Sequence, residues 1–136
     1  MKKTIITSVL ITMSAIGLKA QSSPKSTVYI IRGAEAGIVS DVPIFMDQKQ
    51  MCSIRTNRFI KQSIDTGVHV FSVLVAPKKN IENKKCAAIF HVEPGKTYYI
   101  YIDYNYFSLT YSFQPSEIPE NTANKLLPKL KEDICN

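Results

Sequence analysis

The chain reads as all-β: a single β-sandwich, immunoglobulin-like in a broad sense, of six or seven strands with a short helical C-terminal tail. Three observations predict this. Two glycine turns, in Asp65-Thr66-Gly67-Val68-His69-Val70-Phe71 and Glu93-Pro94-Gly95-Lys96-Thr97-Tyr98-Tyr99, run straight into β-branched and aromatic residues, which favour a pleated surface. Short apolar runs recur on both sides of these turns, with turn residues between them, at the spacing of a sandwich. Only the last stretch of the chain changes to a helical period.

Taken in order, residues 1–20 read as an export signal. Lys2 and Lys3 precede the uncharged apolar run Thr4–Leu18, and Lys19-Ala20 leads into Gln21-Ser22-Ser23-Pro24, with Ala20 a suitable small residue before a cut. The alternative is an uncleaved anchor, but the run has 15 residues where a spanning helix needs about 20. No cysteine follows the cut directly, so the residue needed for bacterial lipid attachment is missing. The expectation is a soluble exported protein, periplasmic or extracellular, with no transmembrane segment after cleavage. Cleavage leaves 116 of 136 residues, one domain's worth, able to bury about two-thirds of its extended surface. Of 17 Lys and Arg, Lys2, Lys3 and Lys19 leave with the signal, so 14 face 11 Asp and Glu. A net charge of +3 gives no basis for a nucleic-acid partner.

Residues 21–26 form a polar, disordered lead-in, residues 27–114 the sandwich, and residues 115–136 the tail. Thr27–Arg32 is the first strand. Gly33–Asp41 is a loop. Val42–Asp47 is the second strand, turned by Asp47-Gln48-Lys49-Gln50, with Met51–Ile54 continuing it. Arg58–Ile64 alternates Phe59, Lys61 and Ser63 against Ile60, Gln62 and Ile64, as an edge or half-buried strand does. Val68–Ala76 is almost continuously apolar, the pattern of a central strand covered on both sides. Pro77 ends it, and Lys78–Lys85 is a solvated hairpin loop. Cys86–Val92 and Thr97–Tyr104 follow as strands joined by Pro94-Gly95, and Ser108–Phe113 adds a last one. In the tail, Ala123, Leu126, Leu127, Leu130 and Ile134 fall at helical intervals after Ser116 and Pro119. Pro128 breaks or kinks that pattern. The tail is expected to pack on the sandwich or shield an open edge.

Val28-Tyr29-Ile30-Ile31-Arg32, Pro43-Ile44-Phe45-Met46-Asp47, Gly67-Val68-His69-Val70-Phe71 and Glu93-Pro94-Gly95-Lys96-Thr97-Tyr98-Tyr99-Ile100 together resemble an uncharacterised family of small exported bacterial β-sandwich domains, often lipoproteins. That family is similar to PEGA-type and carboxypeptidase-regulatory-like modules. Asp47 matches its hairpin aspartate, and Gly67-Val68-His69 its glycine-x-histidine strand start. Asp65-Thr66 stands where a proline is usual, and Gln48 where glycine is common. The resemblance implies the fold and lends no catalytic or ligand residue.

Candidate sites are few. His69 and His91 are the only histidines; on one face of a hairpin, with Glu93 nearby, they would be two or three zinc ligands where a site needs three or four. Register decides which face each takes, and no metal or cofactor is expected. Cys52, Cys86 and Cys135 would meet an oxidising compartment; three pairings are open, with one thiol left over. Six of seven tyrosines fall in Tyr98–Tyr111, where Tyr99, Tyr101 and Tyr104 are the candidate binding residues of an aromatic surface. Lys78, Lys79, Lys84 and Lys85 flank one loop and suit an acidic partner. There is no GxSxG, SxxK, HExxH or phosphate loop, and no carboxylate pair placed as acid and base. The expectation is a non-catalytic module of the cell envelope or periplasm that binds a protein or glycan. The alternative is an inhibitor or immunity-type protein blocking an exported enzyme with its lysine loop, and a hydrolase is the foil to both.

Overall fold

The computed structural model describes residues 24–34, 41–73, 86–107 and 110–135. The signal segment 1–20, residues 21–23 of the lead-in and the lysine loop lie outside them; Lys25 and Ser26, expected to be disordered lead-in, already belong to the first strand, where Ser26 is buried. Two sheets stack face to face, and the chain forms the sandwich expected from the sequence, with nine strands among the described residues in place of the six or seven expected. The strands are β1 (Lys25–Arg32), β2 (Val42–Met46), β3 (Lys49–Ile54), β4 (Arg58–Asp65), β5 (Gly67–Val73), β6 (Ala87–Val92), β7 (Thr97–Phe107), β8 (Thr110–Glu117) and β9 (Lys131–Glu132). One sheet runs β8-β7-β1-β4-β9 and the other β3-β2-β5-β6. Pairing is antiparallel except for β1 with β7 and β4 with β9.

Alternation places the core. On β1, Val28 and Ile30 point between the sheets, while Tyr29 and Ile31 point outward. Ile44, Ile54, Ile60, Phe71, Val92, Ile100, Ile102 and Phe113 complete the inner layer, each contributing roughly 1.5–3 kcal/mol by leaving water. A second cluster forms on the outer face of the five-stranded sheet. There Ile31, Tyr99 and Ala123 are buried with Tyr29, Phe59, Tyr101, Leu126 and Leu130. Helix α1 (Glu120–Leu126) covers it, and Leu127–Lys129 follows as a single 3-10 turn, the break that Pro128 predicts. Gly67 and Gly95 take φ of 136° and 71°, the left-handed geometry their turns require.

Four further expectations need correction. Met51–Ile54 does not extend the second strand. Asp47 and Gln48 both adopt positive φ, 51° and 68°, as a two-residue hairpin turn demands, and Lys49–Ile54 returns antiparallel beside β2. The fourth strand keeps its half-buried alternation but is not an edge, because Lys131–Glu132 of the tail pairs beyond it. Residues 115–117 still belong to β8. The fifth strand is interior to its sheet, but among the described residues the start of one face is uncovered: Val68 and Val70 are 61% and 38% exposed, while Ser72, further along that face, is buried.

The cysteines resolve to a Cys52–Cys135 bridge, with Cα atoms 5.1 Å apart, inside the usual disulfide range. It ties β3 of one sheet to the tail that edges the other. Cys86 is a buried free thiol, its pKa pushed up by burial.

Candidate functional site

The two outer faces of the sandwich are treated differently. The tail carries one amphipathic helix, and it covers the five-stranded sheet. On the four-stranded sheet, Val68, Val70 and Ile89 stand in water, Ile89 at 66% exposure. Val70 and Ile89 are cross-strand partners, and Val68 pairs with His91, so the apolar side chains form one patch. Among the described residues β6 is the last strand of its sheet, so its outer backbone edge lies beside the patch with no described strand paired to it. Segment 74–85, with Lys78, Lys79, Lys84 and Lys85, joins β5 to β6 in the chain and lies outside the described residues.

Beside the patch, two turns are held by one histidine. His69 Nδ1 lies 2.8 Å from Asp47 Oδ2, and Nε2 lies 2.9 Å from the Asp65 carbonyl oxygen. Both partners only accept, so both contacts are hydrogen bonds together only when the ring is the imidazolium. Partial burial disfavours that charge, but the bonds to Asp47 and Asp65 outweigh it and raise the His69 pKa. The second Asp47 oxygen accepts the Val70 N–H at 2.9 Å, and the Asp47 N–H donates to the Val70 carbonyl. Burial pulls the Asp47 carboxyl upward; the Val70 and His69 bonds prevail and lower its pKa. The clamp pins the β2–β3 and β4–β5 turns to the strand that carries Val68 and Val70.

His69 pairs with Phe90, whereas His91 pairs with Val68. The two histidines therefore point to opposite faces, and they cannot share a metal. Among the described residues no group of three metal-binding side chains occurs.

The tyrosines do not make one platform. Tyr99 is buried beneath α1, stacked on Tyr29 at 5.2 Å. Burial, then Glu120, raises its pKa. Tyr101 is half-buried in the same cluster. Tyr104 points the other way, packing on Phe113 at 5.4 Å. Pleat alternation separates Tyr104 from the other two, and the helix takes the area that Tyr99 would have offered.

A polar cleft of about 350 Å³ lies beside the disulfide, lined by Asp41, Gln50, Ser53, Arg55, Asp133 and Ile134. Its charges are spent on each other. Asp133 accepts from the Arg55 backbone N–H, Nε and a terminal guanidinium nitrogen, and the Arg55 bonds lower its pKa.

The Val68–Val70–Ile89 patch was the feature sequence reasoning missed. Its trace is in the sequence: residues 68–73 and 87–92 are apolar at both parities, while the tail supplies only one covering helix. A strand apolar on both sides fits coverage on both sides, and here the second cover is absent among the described residues. No family model, curated protein or solved structure matches the chain.

Proposed function

We propose that this chain is a non-catalytic module of the bacterial cell envelope or periplasm that acts by binding a protein partner. The observation that carries this is the patch of Val68, Val70 and Ile89 beside the edge of β6, which pairs with no further strand among the described residues. An extended partner strand can pair its backbone with that edge while its side chains meet the apolar face. The leader-like residues 1–20 and a bridge that persists only in an oxidising compartment support export. No helix among the described residues is long and apolar enough to cross a membrane.

The test is Val70→Lys together with Ile89→Lys, two exposed positions that leave the core intact. Envelope proteins photo-crosslinked through a probe on β6 are compared between the native chain and the variant. Loss of the native adducts, with an unchanged circular-dichroism spectrum, is the expected result. Undiminished adducts refute the assignment. The inhibitor alternative makes a separate forecast, that changing Lys78, Lys79, Lys84 and Lys85 to Ser abolishes partner capture while the double variant on the patch does not.

A further inference from the structure

At the other end of β4, pairing places three cations in a row. Arg32 and Arg58 are direct partners across β1 and β4, and Arg58 and Lys131 are direct partners across β4 and β9. Like charges set opposite one another destabilise a sheet. Arg32 is accommodated inward: it is fully buried, donates to the Ile54 carbonyl at 3.0 Å and lies over the Phe113 ring. Arg58 and Lys131 instead line an open cleft of about 460 Å³ together with Thr56, Asn57 and Lys129, a volume within the range of small-ligand clefts. Among the described residues the lining holds three cations and no carboxylate. Asp133, close enough to feel Arg58, is bound by Arg55. Glu132 follows Lys131 on β9 and so faces the other way.

The turn at Thr56-Asn57 shapes the cleft. Asn57 takes a φ of 57°. Its N–H donates to Gly33, and its carbonyl accepts from the Lys131 N–H. Those bonds fix the spacing of Arg58 and Lys131 through the backbone. We propose that this cleft is an anion site for a phosphate group, held by Arg58, Lys129 and Lys131. A bound oxyanion would offset the repulsion between the facing Arg58 and Lys131, and guanidinium and ammonium donors suit phosphate oxygens. The site is independent of the β5–β6 patch, which lies on the other sheet.

The test is titration of the full-length chain with inorganic phosphate at low ionic strength, where exposed charges are least screened, followed by amide chemical shifts. Shifts should centre on Asn57, Arg58 and Lys131. Lys129→Gln with Lys131→Gln should weaken binding about tenfold, the combined effect of two exposed charged contacts. Lys61→Gln, a cation over the Tyr29 ring and outside the cleft, should leave it unchanged. Vesicles of phosphatidylglycerol are the second arm, with phosphatidylcholine as control. Vesicle binding lost in the double variant supports a phosphate carried on a headgroup, and loss confined to inorganic phosphate supports the free ion. If the double variant binds both probes like the native chain, or if Lys61→Gln weakens binding equally, the proposal is overturned.

Discussion

Breaking the Cys52–Cys135 bridge should cost this domain a large part of its stability, and the size follows from the chain. The cysteines are 83 residues apart, so the bridge closes most of the sandwich into a loop. With the chain-entropy relation for cross-links, a loop of that size restricts the unfolded ensemble by about 4.5 kcal/mol at 25 °C. Domains of this kind are stable by roughly 5–15 kcal/mol in total. The local contacts point the same way, since Cys135 follows the short strand β9 and Asp133, whose N–H donates to the Phe59 carbonyl at 2.7 Å. The assay is urea unfolding of the full-length chain, native against Cys135→Ser, repeated with reductant. We expect a loss of about 2–5 kcal/mol in the variant, reproduced by reductant in the native chain and absent when reductant is added to the variant. The native m-value should be the smaller, because a cross-linked chain exposes less surface on unfolding. A loss under about 1 kcal/mol would refute the reasoning. So would an equal loss in oxidised Cys86→Ser, since that thiol closes no loop.

Further outcomes follow from the clamp, the core and one turn. Because the folded pKa of His69 is raised, its contribution should be complete below about pH 6.5 and lost as pH rises through the folded value. The stability difference between the native chain and His69→Gln, read from urea midpoints, should therefore shrink from pH 6 towards pH 8.5; a flat difference would exclude a charged His69. Asp47, with a lowered pKa, sets the acid side, and the benefit of its carboxylate over Asp47→Asn should fade as pH falls below about 3.8. Phe113→Ala removes a fully buried ring beneath Arg32 and should cost about 3–5 kcal/mol in thermal or urea unfolding. Gly67→Ala meets no neighbouring atom, so its cost of about 1–3 kcal/mol would report backbone strain alone at φ 136°.

What the residues determined by themselves was local. Alternation on Thr27–Arg32 and Arg58–Ile64, the glycines at 67 and 95, and the proline at 128 each carry their meaning within a few positions, because side-chain period and allowed φ are properties of the neighbouring backbone. The same alternation already separated Tyr104 from Tyr99 and Tyr101. Tertiary structure decided whatever depends on which segments meet. Three cysteines permit three bridges, and only the meeting of the tail with β3 selects Cys52–Cys135. Pairing of β5 with β6 sends His69 inward and His91 outward, since one step of register exchanges the faces. Three cations distant in sequence become a row only when β1, β4 and β9 lie side by side. Whether an apolar strand face is core or surface depends on what lies above it. One short helix buries Tyr99, and Val68, Val70 and Ile89 on the opposite sheet have no such cover among the described residues.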